Sequence, residues 1–174
     1  MRNIAVTLCK ANPSFLVLSL PRSRSTWLSR YLSYGGKSCG HDLAPRCGSI
    51  AEVMQSLSQH DGSCETGAML GHQVLREELP HTKFITIRRP AHEVVESLAR
   101  AGLNVEEEVY RRNAMLDDFE RLGGVRRYAY GDLRDPACCK EIFEYCLGLE
   151  FDPAWWLTLQ ELNIQVNLPD WLRM

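Results

Sequence analysis

Two stretches of this chain carry residues whose types and spacing suit chemistry on an anion. The first is the loop Pro21-Arg-Ser-Arg-Ser-Thr-Trp27, which follows the apolar run Phe15-Leu-Val-Leu-Ser-Leu20 and leads into a segment of helical character, Ser25 to Tyr34. A loop between a buried strand and a helix start gathers backbone N–H groups and the positive end of the helix dipole at one spot, so an anion belongs there. Ser23, Ser25 and Thr26 add hydroxyl donors, Arg24 adds charge, and Arg22 offers a planar fork suited to a phosphate or sulfate oxygen. The second stretch is the pair Arg88-Arg89 at the end of Lys83-Phe-Ile-Thr-Ile-Arg88. A ligand bearing several negative charges would use both clusters. Taken singly, each also fits a plain reading: a capped helix with solvated arginines, or a surface arginine pair ahead of an amphipathic helix.

Both stretches sit where a strand gives way to a helix, and the same alternation runs through the chain. Phe15–Leu20 is a strand ended by Pro21, and Gly35-Gly36 stops the helix that follows. Lys37 to His41 reads as a short strand. A helix then begins near Ser49, where Ser49 and Glu52 have the spacing of a capping box. Ser63 to Thr66 is a further short strand, Leu70 to Leu79 a helix closed by Pro80, and Lys83–Arg88 a β-branched run suited to a buried parallel strand. Helices over 92–101 and 105–122 precede a last strand over 126–130. Asp135-Pro136 opens a helix through Leu147, with Gly148 at its end. This order predicts an α/β fold: a three-layer αβα sandwich with a central, mostly parallel sheet and a ligand crevice at the carboxyl ends of the strands. The segment from Phe151 to Met174, with Trp155, Trp156 and Trp171, is expected to fold back over the core.

The composition narrows the class further. At 174 residues, residues 1–174 are read as a single domain able to bury a core without disulfides or metals. A hydrophobic share of 45% and a charged share of 24% are those of an ordinary soluble protein, and no window carries the roughly 18 apolar residues of a membrane span. No membrane partner is therefore expected. The start, MRNIAVTLCKANPSF, places Lys10 in its apolar stretch and lacks a small-residue cleavage site, which argues against a secretory signal. Seven cysteines without CxxC spacing read as reduced thiols of a cytoplasmic protein. A net charge of −2 excludes a general nucleic-acid binder. GxxxxGK[ST] is absent, so ATP is a poor candidate ligand.

SLPRSRSTWLSRYL resembles the phosphosulfate-binding loop of the P-loop sulfotransferases, whose pattern is Pro, Lys or Arg, Ser, Gly, Ser or Thr, Thr, Trp. The resemblance implies 3′-phosphoadenosine 5′-phosphosulfate (PAPS) as sulfuryl donor and 3′-phosphoadenosine 5′-phosphate as product; because a sulfuryl group carries less negative charge than a terminal phosphoryl group, arginine and backbone donors can suffice and no metal is expected. It places Arg22 on the bridging and sulfuryl oxygens and Thr26 on the 5′-phosphate, with Ser23, Ser25 and Trp27 in the same loop. Arg24 stands where the family has Gly, so a positive φ at this position would strain the backbone. Phe84-Ile-Thr-Ile-Arg-Arg-Pro-Ala-His-Glu-Val-Val-Glu-Ser-Leu98 is similar to the family's element for the 3′-phosphate. Aligned without gaps from Phe84, it assigns that phosphate to Arg89 and Ser97, with Arg88 the alternative because Pro90 comes one residue early. A third likeness spans Tyr128 to Pro153, where "GDLRDP" and "LGLEFDP" match a late strand, turn and helix of the family.

Transfer to an alcohol needs a general base, and His or Glu are the usual groups. Glu65 ends a predicted strand at the ligand edge. His72 resembles the family's catalytic His ahead of a Leu-Pro and the strand that carries the 3′-phosphate arginine. Glu65 is preferred on position. His41-Asp42, ending the second strand, could line the acceptor pocket, but a solvated turn is the preferred reading. The acceptor, a hydroxyl or amine, is not named by any motif, and association into a homo-oligomer stays open. Two other readings compete: an inactive 3′-phosphoadenosine nucleotide-binding protein, and a divergent P-loop kinase or nucleotide hydrolase.

Overall fold

The computed structural model describes residues 13–162 and 164. Its centre is β1 (Phe15–Ser19), all five residues of which are buried. Strands β2 (Cys39–His41), β3 (Gly62–Glu65), β4 (Lys83–Arg88) and β5 (Val125–Ala129) complete one sheet in the order β2-β3-β1-β4-β5. Every neighbouring pair is parallel. With helices on both faces this is the expected three-layer αβα arrangement, and the sheet is wholly parallel rather than mostly so. Continuous apolar runs such as FLVLS suit a strand covered on both sides.

Alternate residues of β1 feed two cores. Phe15 and Val17 pack with Trp27, Leu28 and Tyr31 of α1 (Ser25–Tyr31), with Ile142 and Phe143 of α6 (Pro136–Leu147), and with Leu159 of α7 (Pro153–Glu161). Leu16 and Leu18 pack on the other face, against Val53 and Leu57 of α2 (Ile50–Leu57) and Leu75 of α3 (His72–Glu78). Val94 and Leu98 of α4 (Ala91–Ala99) and Leu116 and Phe119 of α5 (Glu106–Arg121) complete that side. The period of two along a strand sends each set to its own layer.

Local signals set most boundaries. Ser49 caps α2 by accepting from the Glu52 N–H, while the Glu52 carboxylate reaches back to the Gly48 N–H, one residue beyond the expected box. Asp135 and Asp152 cap α6 and α7, each with Pro at the first helical position, and Gly148 ends α6 at φ 65°. The helix expected over 70–79 is in fact a 3₁₀ turn, Ala68–Gly71, followed by α3 from His72. The helix expected to reach Tyr34 ends at Tyr31. Trp155 and Trp156 pack against the α6 side of the core as expected, while Trp171 lies outside the described residues. Among the described residues no helix is long and apolar enough to cross a membrane.

Candidate functional site

The chain reverses sheet direction around β1: β2 and β3 lie on one side, β4 and β5 on the other. The crevice beyond the carboxyl ends of such strands is where an open parallel sheet binds ligands. A cleft of about 1370 Å³ opens there, lined by the loop after β1, the end of β2, Thr66 after β3 and Arg89 after β4.

The loop Pro21–Trp27 is built on two strained residues. Arg22 and Arg24 have φ of 63° and 62°, the left-handed region that L residues enter at a cost of about 1 kcal/mol. Arg24 thus adopts the backbone that a glycine would adopt there. Its side chain offsets the strain: the guanidinium lies over the Trp27 ring at 4.2 Å and donates to the Leu133 carbonyl and to Gln160 Oε1, each at 3.0 Å. Burial holds it below its ordinary pKa. Trp27 is only 2% exposed, stacks on Tyr31 and donates through Nε1 to the Leu159 carbonyl, so it anchors the loop to α7. Ser23 is fully buried beneath the loop. The helix α1 that follows the loop has only seven residues and no side-chain cap.

The second arginine stretch meets this loop directly. Arg22 Nε donates to Ser97 Oγ at 3.3 Å, and Arg89 donates through Nη1 to the Arg22 carbonyl at 2.6 Å. Arg89 is oriented by Glu93 at 3.2 Å and by the face of Tyr130, 4.6 Å away. Arg88 points the other way: it pairs with Asp117, Asn113 and Glu120 of α5 and stays largely buried. The alternation of side chains along β4 separates the two arginines, leaving Arg89 at the cleft.

The proton-accepting candidates are placed differently from the sequence expectation. Glu65 is completely buried. Its carboxylate accepts the backbone N–H groups of Leu43 and Ala44 at 3.0 Å, and the Ser63 hydroxyl as well. Burial pushes its pKa up despite these bonds. It is a clasp for the chain leaving β2 and lies outside the cleft lining. His72 begins α3 with its ring edge-on to Phe119 at 6.2 Å, also outside the lining.

His41 is the group that reaches the loop. Its Nε2 lies 3.0 Å from Ser25 Oγ and 3.2 Å from Thr26 Oγ1. Burial lowers its pKa more than neighbouring Asp42 raises it, which favours the neutral ring with an accepting nitrogen. Asp42 sits at φ 48° and accepts the Thr66 N–H and hydroxyl at 2.8 and 2.9 Å, fixing the turn that carries His41. The signal in the sequence was positional: His41, like Arg22 and Arg89, ends a strand at the ligand edge. Tyr130 and Arg134, from the stretch around GDLRDP, also line the cleft, as does Gln160, which belongs to no recognised motif.

Seven arginines against three carboxylates line the cleft, a field suited to a polyanion. No family model matches this chain, and no curated protein matches it in sequence. In fold it is similar to a crystallised sulfotransferase from Alicyclobacillus acidocaldarius, at 15% identity, with 94% of each chain covered and a TM-score of 0.54.

Proposed function

We propose that this chain is a sulfotransferase that moves the sulfuryl group of PAPS to a hydroxyl or amine acceptor without a metal ion. The observation that supports the reading is the meeting of Arg22, Ser97 and Arg89, which brings the two stretches that resemble the 5′-phosphosulfate loop and the 3′-phosphate element together in one cleft. A plain capped helix has no use for that juxtaposition. The arginine excess also matches the charge of a nucleotide bearing phosphates at both ends.

In the proposed reaction the Arg22 fork and the hydroxyls of Ser25 and Thr26 hold the phosphosulfate, and Arg89 with Ser97 holds the 3′-phosphate. When the two hydroxyls turn to the donor's oxygens they release His41 Nε2, which then takes the acceptor's proton. The acceptor oxygen attacks sulfur as the bond from sulfur to the bridging phosphate oxygen breaks. A sulfate ester, 3′-phosphoadenosine 5′-phosphate and the proton on His41 result. Arginines stabilise the charge gathering on the leaving phosphate, which a preorganised site can do without a metal.

Calorimetric titration with 3′-phosphoadenosine 5′-phosphate in the presence of a chelator tests this. The expected result is binding at least about tenfold tighter than that of the nucleotide lacking the 3′-phosphate, from one charge-assisted site. Equal affinities, or binding only with magnesium, would overturn the reading.

A further inference from the structure

A second cleft of about 440 Å³ opens beside the first, and the two share Pro45 and Arg112 as a common wall. Its surface is mostly apolar: Ala44, Ile50, Val53, Ala68 and Leu75 line it, with the Cys47 thiol at its side. Glycines keep it open. A Cβ at Gly67 would come within 3.1 Å of Pro45, and one at Gly71 within 3.4 Å of Ile50. Ile50, on the outer turn of α2, is 43% exposed, an apolar surface left to water on the lip of the cleft.

Charge at the junction is largely spoken for. Arg112 donates to Glu108 at 2.6 Å and to the Thr66 carbonyl at 2.9 Å, so it forms a neutralised partition. Arg46 is a further cation there, exposed on the rim. Chain continuity orders the whole: His41 stands at one end of the segment that runs through Pro45 to Cys47, and Thr66 leads through Gly67 to Ala68 on the opposite wall.

We propose that the acceptor is an uncharged alcohol with an apolar body, its hydroxyl at His41 and its body across Pro45 in the cleft between α2 and the Ala68–Gly71 turn. This rests on the sulfuryl-transfer reading and adds the class of acceptor. The size fits a hydrocarbon portion of a few to several carbons, and burying each methylene in the cleft favours binding about fourfold.

The test uses the full chain with PAPS and the series n-butanol, n-hexanol and n-octanol, beside 6-hydroxyhexanoate and glycerol. The expected kcat/KM rises about fourfold per methylene until the cleft is filled, with the hydroxy acid below n-hexanol. Ala68→Phe, which fills the cleft, should flatten the series at unchanged nucleotide affinity; Val53→Asn does the same by polarity should the larger residue prevent folding. A second readout needs no turnover: alkylation of Cys47 by iodoacetamide, followed by peptide mass, is expected to slow at least about threefold with n-octanol and not with glycerol. A flat series with nucleotide binding intact, preference for the hydroxy acid, or Cys47 labelling indifferent to n-octanol would overturn the inference and leave sulfuryl transfer standing. Protection of Cys47 in a protein that binds no 3′-phosphorylated nucleotide would support the apolar cleft and overturn the transfer reading instead.

Discussion

Arg22 and Ser97, 75 residues apart, meet at 3.3 Å on the cleft floor, and the hydrogen bond runs from the guanidinium Nε to the hydroxyl oxygen. One residue belongs to the loop after the central strand, the other to the last turn of α4. Their contact makes the two halves of the proposed donor site a single unit.

Removing one member should therefore be felt at both ends of the nucleotide. Arg89→Ala and Ser97→Ala are each expected to cut the preference for a 3′-phosphorylated nucleotide by about tenfold, the scale of one charge-assisted bond. Arg88→Ala should leave the preference unchanged and lower stability by about 2 kcal/mol, since it strips Asp117 and Glu120 of a largely buried partner. Calorimetry with both nucleotides and urea unfolding separate the two outcomes. An unchanged ratio in the Arg89 and Ser97 variants would refute the assignment.

The backbone strain at Arg24 can be read by difference. Arg24→Gly relieves a positive φ but loses two hydrogen bonds and the contact with Trp27, for a net loss of about 1–2 kcal/mol. Arg24→Ala loses the same contacts and keeps the strain. It should be less stable than the glycine variant by about 1 kcal/mol in urea unfolding. Equal stabilities would mean that the left-handed turn is not held in solution.

His41→Ala is expected to slow transfer by about 100-fold or more at unchanged nucleotide affinity, the contribution of a positioned base. Glu65→Gln should act on stability, costing about 1–3 kcal/mol, because an amide cannot accept the N–H groups of Leu43 and Ala44 with both of its ends. Should Glu65→Gln lose turnover while its melting temperature holds and His41→Ala stays active, the base roles would reverse.

The lowered pKa of His41 has a signed consequence. Between its folded value and about 6.5 the unfolded chain binds the proton more readily, so stability rises with pH through that window and the contribution is complete above it. Wild-type protein should lose more stability than His41→Asn when pH falls below about 6.5, measured as the difference between their unfolding free energies. The acid limb of the transfer rate should likewise fall below about 6.5. A limb above that value would exclude the neutral His41 as base.

Where the sequence carried periodicity or a fixed register, it was readable. Lys83–Arg88 is a strand end to end, and alignment from Phe84 led to Arg89 and Ser97, which the structure brings against the loop. Glu65 was not readable in the same way. Gly-Ser-Cys-Glu has no alternation to say which face each residue takes, and its carboxylate is claimed by N–H groups from a loop beyond β2. His72 follows the break of the predicted helix at Gly71, and its ring lies edge-on to Phe119, outside the cleft lining. His41 could be placed at the correct edge by counting strands. Its partners, Ser25 and Thr26, depend on how α1 packs beside β2, a tertiary relation no local pattern encodes.

The strand order has a kinetic side. β1 is flanked by β3 and β4, both of which come later in the chain, with β2 and α2 or β3 and α3 in between. During synthesis Phe15-Leu-Val-Leu-Ser19 leaves the ribosome well before either partner, and α1, which follows it, covers one face but pairs with neither edge. Long-range parallel pairing of this kind is slow to nucleate, because loop closure precedes any reward. Until Lys83–Arg88 emerges, the open edges of this apolar strand are a template for the wrong neighbour, and holding it apart falls to chaperones or to the speed of translation.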